Sequence, residues 1–113
     1  MSQNVNDALI GKAWGAHRLG RNGEAIRDFE QVIKSDGQNV DAYYGLGLAQ
    51  RASGQTAEAQ AAFEKALALA KQKTAEIQGA RHEHNLESDE DDRYMMLTRM
   101  LSQRLEELGR KSN

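Results

Sequence analysis

The chain has 113 residues, a formal net charge of −2, 28% charged and 5% aromatic residues, and neither Cys nor Pro. This length allows one domain with a modest core. Without Cys, no disulfide, thiolate metal site or thiol nucleophile is possible, and the charge lacks the basic excess typical of nucleic-acid binding. No apolar run is long enough to insert into a membrane, and the first residues do not resemble a secretory signal. We therefore expect a cytoplasmic protein.

Two helical stripes follow an expected N-terminal tail of residues 1–6. Apolar residues recur at helical spacing between positions 7 and 19, and the Gly-rich residues 20–23 predict a turn. A second stripe then recurs at i, i+1, i+4, i+7 and i+8, formed by Ala25, Ile26, Phe29, Val32 and Ile33. Residues 7–36 are thus predicted to form one antiparallel helix pair.

The same pattern returns 34 residues later and predicts a second pair over residues 39–70. Eight of the 28 ungapped aligned pairs, from 7/41 to 34/68, are identical, where composition alone gives roughly two. The first members are Asp7, Ala8, Gly11, Gly20, Glu24, Ala25, Phe29 and Glu30. Repetition at this period indicates stacked helix pairs. Gly11 and its equivalent Gly45 are expected where two helices approach closely.

Two further recurring pairs have a direct physical role in such a hairpin. Gly20 and Gly54 permit the left-handed backbone that turns one helix back on its partner. Phe29 and Phe63 are large and are expected to fill the space between the paired helices. Small and large residues at fixed spacing therefore predict how each pair packs.

These two units resemble tetratricopeptide repeats. The matching positions of the second unit are Tyr43, Leu46, Gly47, Gly54, Ala59, Phe63 and Ala66, and those of the first are Leu9, Lys12, Ala13, Gly20, Ala25, Phe29 and Val32. Lys12 departs from the family's Leu, and Gly37 and Lys71 replace its terminal Pro. The resemblance covers about residues 7–70. It implies an all-α superhelix, a solenoid of antiparallel helix pairs, that acts as a non-catalytic adaptor or scaffold without a cofactor.

The resemblance also implies a concave groove, lined by the first helix of each pair, that holds a segment of a partner protein. The matching positions are Ile10, Trp14, His17, Arg18, Tyr44, Leu48 and Arg51. We call Ile10, Trp14, Tyr44 and Leu48 the apolar strip, and His17, Arg18 and Arg51 the basic edge. Trp and Tyr are residue types that anchor peptides, and Arg holds carboxylates. In an alternative interpretation, the chain's own C-terminal helix covers the strip.

The C-terminal residues 71–110 leave two interpretations open, a degenerate third helix pair or a linker with one capping helix. A last helix is predicted in both, because Ser88 and the acidic residues after it are typical of a helix start. Its apolar stripe comprises Tyr94, Leu97, Met100 or Leu101, Leu105 and Leu108, and Gly109 is expected to end it. Residues 71–86 either continue the preceding helix or start a new one at Thr74.

The last helix has more apolar residues than one face can bury. Tyr94, Met95, Met96 and Met100 form a possible second interface, because Met-rich faces repack easily against partners; ordinary core is the alternative. The rival to an adaptor is accordingly a small structural subunit that forms homo-oligomers, or docks in a larger complex, through this helix.

Chemical sites are not expected elsewhere in the sequence. His82 and His84 resemble metal ligands, but side chains two apart on a helix point to different faces, so we predict no metal site. The acidic residues 87–92 lack the glycine and the ligand spacing of a calcium loop. No catalytic set emerges from the sequence, so an enzyme is not expected.

Overall fold

A computed structural model describes residues 2–84 and 89–111, with side chains described for residues 6–77 and 93–109. These residues form five helices: α1 (Ser2–Arg18), α2 (Asn22–Ser35), α3 (Val40–Ala52), α4 (Thr56–His84) and α5 (Asp89–Lys111). No strand occurs in these two ranges, so the predicted all-α class is confirmed. Helix α1 begins at Ser2 and therefore includes most of the segment that was expected to be an N-terminal tail.

The turns inside the two helix pairs use the glycines that the repeat singles out. Gly20, between α1 and α2, has a φ of 80°, and Gly54, between α3 and α4, has a φ of 83°. An L-residue with a side chain rarely adopts this backbone. Between the pairs, the Asn39 side chain caps α3 by accepting a hydrogen bond of 3.0 Å from the Ala42 N–H. Local sequence thus defines the two reversals and the start of α3.

Each helix packs against the next in the chain, and α1 also touches α3. Phe29 and Phe63 are completely buried in two neighbouring apolar clusters. Helix α3 approaches both rings: a Cβ added at Gly47 would lie 2.5 Å from the Phe63 ring, and one at Gly45 would lie closer still to Phe29. The expectation for Gly11 is wrong, because no atom lies within 4 Å of a Cβ there. In the described part of the chain, no helix precedes α1 to approach it.

Helix α4 continues well beyond the second repeat, without a break from Thr56 to His84. The Thr74 hydroxyl does not start a new helix but donates a 2.9 Å hydrogen bond to the Ala70 carbonyl one turn earlier. Residues 71–84 therefore extend the second helix of the pair. Ser88, the predicted start of the last helix, lies outside the described residues.

Helix α5 packs its leucine stripe against α4. Leu97, Leu101 and Leu108 are buried in the cluster around Phe63, as the stripe predicts. The helix runs on to Lys111, so the expectation that Gly109 ends it is wrong, since a glycine weakens a helix without forbidding it.

The direction of α5 follows from two ion pairs that its described side chains form with α3. Arg93, near the start of α5, pairs with Asp41 near the start of α3. Glu107, near the end of α5, pairs with Arg51 near the end of α3. The two helices therefore run parallel, and α5 stands beside α3 where the first helix of a further pair would stand.

Candidate functional site

The apolar strip lies along the first helices of the two pairs. The Trp14 ring on α1 and the Tyr44 ring on α3 have centroids 6.0 Å apart, which joins the two repeats. The Trp14 ring also contacts the buried Phe29 ring edge-on, with their centroids 5.2 Å apart. The centroids of the Tyr44 and Phe63 rings are 6.1 Å apart. All four strip residues are half-buried. Each ring thus rests on a core phenylalanine and keeps part of its surface open to solvent.

Ile10 and Leu48 extend the strip on either side of this aromatic pair. Ile10 packs against the cluster around Phe29, together with Trp14. Leu48 packs against the cluster around Phe63, together with Tyr44. Ile10 and Leu48 therefore rest on different clusters, which the Trp14–Tyr44 pair joins.

The basic edge is partly engaged by other side chains. His17 Nδ1 lies 3.0 Å from the Asn22 side-chain oxygen, and its ring lies 6.1 Å from that of Trp14. Arg18 is exposed at the end of α1. Arg51 donates a 3.4 Å hydrogen bond to Glu107 of α5. These cations therefore differ in availability, with Arg18 the most accessible to solvent.

Two residues of α5 that the sequence did not single out complete this end of the strip. Glu107 lies between Arg51 of α3 and Arg104 of α5, whose Nη2 donates a 3.2 Å hydrogen bond to it. No signal at the 34-residue spacing marks this cluster, because Glu107 and Arg51 are 56 positions apart. Only the packing of α5 beside α3 brings the three charges together.

The Tyr44 phenol connects the aromatic pair to these charges. Burial raises the pKa of Tyr44 above its ordinary value of 10.0, and the Glu107 carboxylate acts in the same direction. The Arg104 and Arg51 guanidiniums oppose this rise in the pKa. The phenol is therefore neutral at physiological pH, and its O–H is a potential hydrogen-bond donor at the surface.

A polar cavity of about 340 Å³ lies at the other end of the strip, next to Ile10. It is lined by carboxylates of α1, α3 and the turn between the pairs, and by two cations, namely Asp7, Asp36, Asp41, Lys73 and Arg93. Arg93 is paired with Asp41. The strip thus has mixed charges at one end and mainly basic charges at the other.

The four residues of the possible second interface lie on α5 but not on one face. Tyr94 packs half-buried against the cluster around Phe63, and Met100 is also half-buried. Met95 and Met96 are 40% and 57% exposed. A cavity of about 310 Å³ beside Met95 lies between α4 and α5, lined by Lys71, Thr74, Ala75, Thr98 and Arg99 as well. The two exposed methionines are therefore not core residues.

Metal and membrane features can be assessed only for the described residues. Within them, no three His, Asp or Glu side chains come together in a way that would hold a metal ion. The His82 and His84 side chains and the acidic residues 87–92 lie outside the described side chains. None of the helices in residues 2–84 and 89–111 is both long and apolar enough to cross a membrane.

Comparison with known protein families agrees with this architecture. Residues 10–74 match the family model described as tetratricopeptide repeat, which is more than half of the chain. The chain therefore belongs to the tetratricopeptide repeat family, whose repeats generally mediate protein–protein interactions and are generally non-catalytic. No curated protein matches the chain.

Proposed function

We propose that this protein is a non-catalytic adaptor that binds a segment of a partner protein on the apolar strip, with the basic edge receiving acidic groups of that partner. The observation that carries this proposal is the Trp14–Tyr44 pair, whose rings lie 6.0 Å apart across the two repeats. Aromatic side chains that are half-buried on a rigid scaffold lose little conformational freedom on binding and contribute large contact areas. A cytoplasmic location is part of the same proposal.

The orientation of the two rings supports this use. Phe29 and Phe63 are fully buried and lie behind Trp14 and Tyr44 respectively. Because close-packed interiors do not yield easily, the exposed parts of the rings form a firm surface. A partner's apolar side chain would remove water from this surface at a favourable free energy of roughly 25 cal/mol per Å² buried.

The test is selection of a random dodecapeptide library, displayed on phage, against the full chain. We expect enriched peptides that bind the wild-type protein and lose at least tenfold in affinity on Trp14→Ala with Tyr44→Ala. The matched control is Met95→Ala with Met96→Ala, which removes two exposed apolar side chains from α5 and should leave affinity unchanged. Enriched peptides that bind the double aromatic variant as tightly as the wild type would contradict the proposal.

A second variant that leaves the core packing intact keeps the test valid if the double aromatic variant does not fold. Trp14 touches the buried Phe29, so the aromatic variant is checked by circular dichroism. If it does not fold, Arg18→Glu is used instead, because Arg18 is exposed and its reversal alters only the charge of the basic edge. We expect weaker binding of peptides that carry acidic residues.

The second candidate function is a structural subunit that self-associates through α5. The exposure of Met95 and Met96, with Met95 lining the 310 Å³ cavity, favours it, since exposed apolar patches often mark contacts between proteins. Light scattering on the purified chain tests it. A stable oligomer that falls apart on Met96→Glu or Met100→Glu would support assembly, whereas a monomer at micromolar concentration would contradict it.

A further inference from the structure

Glu107 stands in an unusual place, at the end of the apolar strip and between two arginines. Its Oε1 accepts a 3.4 Å hydrogen bond from Arg51 Nη1, and its Oε2 accepts a 3.2 Å bond from Arg104 Nη2. The exposed fractions of the three side chains are 29% for Arg51, 25% for Arg104 and 37% for Glu107. A carboxylate from the chain itself therefore occupies a half-open site lined by two guanidiniums.

The charges within this trio do not balance. Two guanidiniums share one carboxylate, which leaves an excess of one positive charge beside the Tyr44 ring. Arg51 lies on the same face of α3 as Tyr44, two turns further along the helix, and the hydrogen bonds through Glu107 hold Arg104 next to it. The planar guanidinium group of arginine is suited to binding carboxylates. Its several N–H donors can bind two carboxylates, either in turn or at the same time. Charge complementarity therefore favours an acidic group beside the anchor.

Glu107 is not needed to hold α5 on the body of the protein. Leu97, Leu101 and Leu108 are buried under the helix, and burial of such side chains is the dominant stabilising contribution in folded proteins. An ion pair with a third of its surface in water contributes little by comparison. The position of Glu107 is thus better explained by the site between the two arginines than by a contribution to the stability of α5.

We propose that Glu107 is an internal substitute for an acidic side chain of the partner, and that a partner's Asp or Glu displaces it from Arg51 and Arg104 on binding. This inference rests on the proposed function, since it assumes that the segment lies on the apolar strip. It specifies the partner chemistry, an aliphatic or aromatic anchor for Trp14 and Tyr44 with a carboxylate next to it. It also makes Glu107 a residue that weakens partner binding.

The experiment uses individual peptides from the dodecapeptide selection, measured by fluorescence polarisation against the full chain. Glu107→Gln keeps the shape of the side chain and removes its charge. For peptides with an acidic residue beside the anchor, we expect it to tighten Kd about threefold to fivefold, the scale of a partly exposed ion pair. Glu64→Gln is the matched control, because it removes the same charge from an exposed side chain on α4, away from the trio, and should leave Kd unchanged.

A double-mutant cycle between the protein and the peptide separates the effect of charge on Kd from the effect of any structural change. Replacing the acidic residue of the peptide by its amide should abolish the gain from Glu107→Gln, and Arg104→Gln should weaken the acidic peptide but not the amide. If Glu107→Gln does not fold, as judged by circular dichroism, the same cycle is measured with Glu107→Asp, which keeps the charge and withdraws it by one methylene. A smaller gain is then expected.

The outcomes distinguish this inference from the proposed function. Enriched peptides that depend on Trp14 and Tyr44, but whose Kd is unchanged or weaker in Glu107→Gln, would overturn the inference alone and show that Glu107 only ties α5 to α3. Absence of any enriched peptide, or enrichment that ignores Trp14 and Tyr44, would overturn the proposed function and the inference with it.

Discussion

The two repeats share eight residues at equivalent positions but place some of them in different surroundings. Gly45 of the second repeat lies against the ring of Phe29, whereas a Cβ at its equivalent Gly11 would meet nothing within 4 Å. The reason is the neighbour: α3 packs on α2 of the preceding pair, and in the described residues α1 has no such predecessor. A repeat position thus acquires its structural role from the unit beside it.

The largest effect is expected where the two pairs meet. Phe29→Ala should reduce the free energy of unfolding by about 3–5 kcal/mol, because it removes a completely buried ring and leaves a cavity. Leu19→Ala, at a side chain that is 71% exposed, is the control and should change it by less than about 0.5 kcal/mol. Urea denaturation measures both. Equal effects would show that Phe29 does not join the repeats.

The next prediction contrasts the buried and exposed sides of α5. Leu101→Ala should cost about 2–5 kcal/mol, because Leu101 is fully buried against α4. Met96→Ala, five residues earlier and 57% exposed, should be within about 0.5 kcal/mol of the wild type. Chemical denaturation of both variants tests whether α5 closes the second repeat. A negligible effect of Leu101→Ala would mean that α5 does not stabilise the second repeat.

The two glycines should respond to the same substitution with opposite signs. Gly45→Ala gains about 1 kcal/mol of helix propensity but loses about 1–3 kcal/mol through overpacking against Phe29, so it should destabilise. Gly11→Ala meets no neighbour and should stabilise by up to about 1 kcal/mol. Thermal melts of the two variants decide this. Changes of the same sign would contradict the difference between the repeats.

The smallest effect is a dependence on alkaline pH. Because the folded state raises the pKa of Tyr44, the folded protein retains the phenol proton at a pH where the unfolded chain loses it. Its contribution to stability is therefore complete below pH 10 and declines as the pH rises through the raised pKa. Tyr44→Phe should make the loss of stability above pH 10 less steep in urea titrations, with Tyr43→Phe as the control for removing a phenol from α3. An unchanged slope would contradict a buried phenol.

Sequence alone predicted the parts of this molecule that depend on local chemistry and on the repeat. Gly20 and Gly54 have the left-handed backbone expected of them, and Phe29 and Phe63 are in the core. The error at Gly11 arose because identity between repeats does not specify which neighbours are present. The long continuation of α4 was left open because no Gly or Pro between Ala70 and Thr74 stops a helix, while Thr74 is also a residue type that can start one.

In the candidate site, too, sequence predicted some residues and missed others. The residues of the apolar strip were predicted from their positions within each repeat, and their rings lie close together. Arg104 and Glu107 were missed because their relation to Arg51 depends on where α5 lies beside α3, and a helix's apolar stripe specifies what it buries but not which neighbour's charges it will meet.

The most direct test of the proposed site uses the single tryptophan of the chain. A peptide from the selection is titrated into isotopically labelled protein, and the Trp14 indole N–H signal is followed by nuclear magnetic resonance with the backbone amides. Binding on the apolar strip predicts a saturable shift of this signal, together with shifts near Tyr44, Arg51 and Glu107. Saturation that moves the signals of Met95, Met96 and Arg99 and leaves the Trp14 indole unchanged would contradict it.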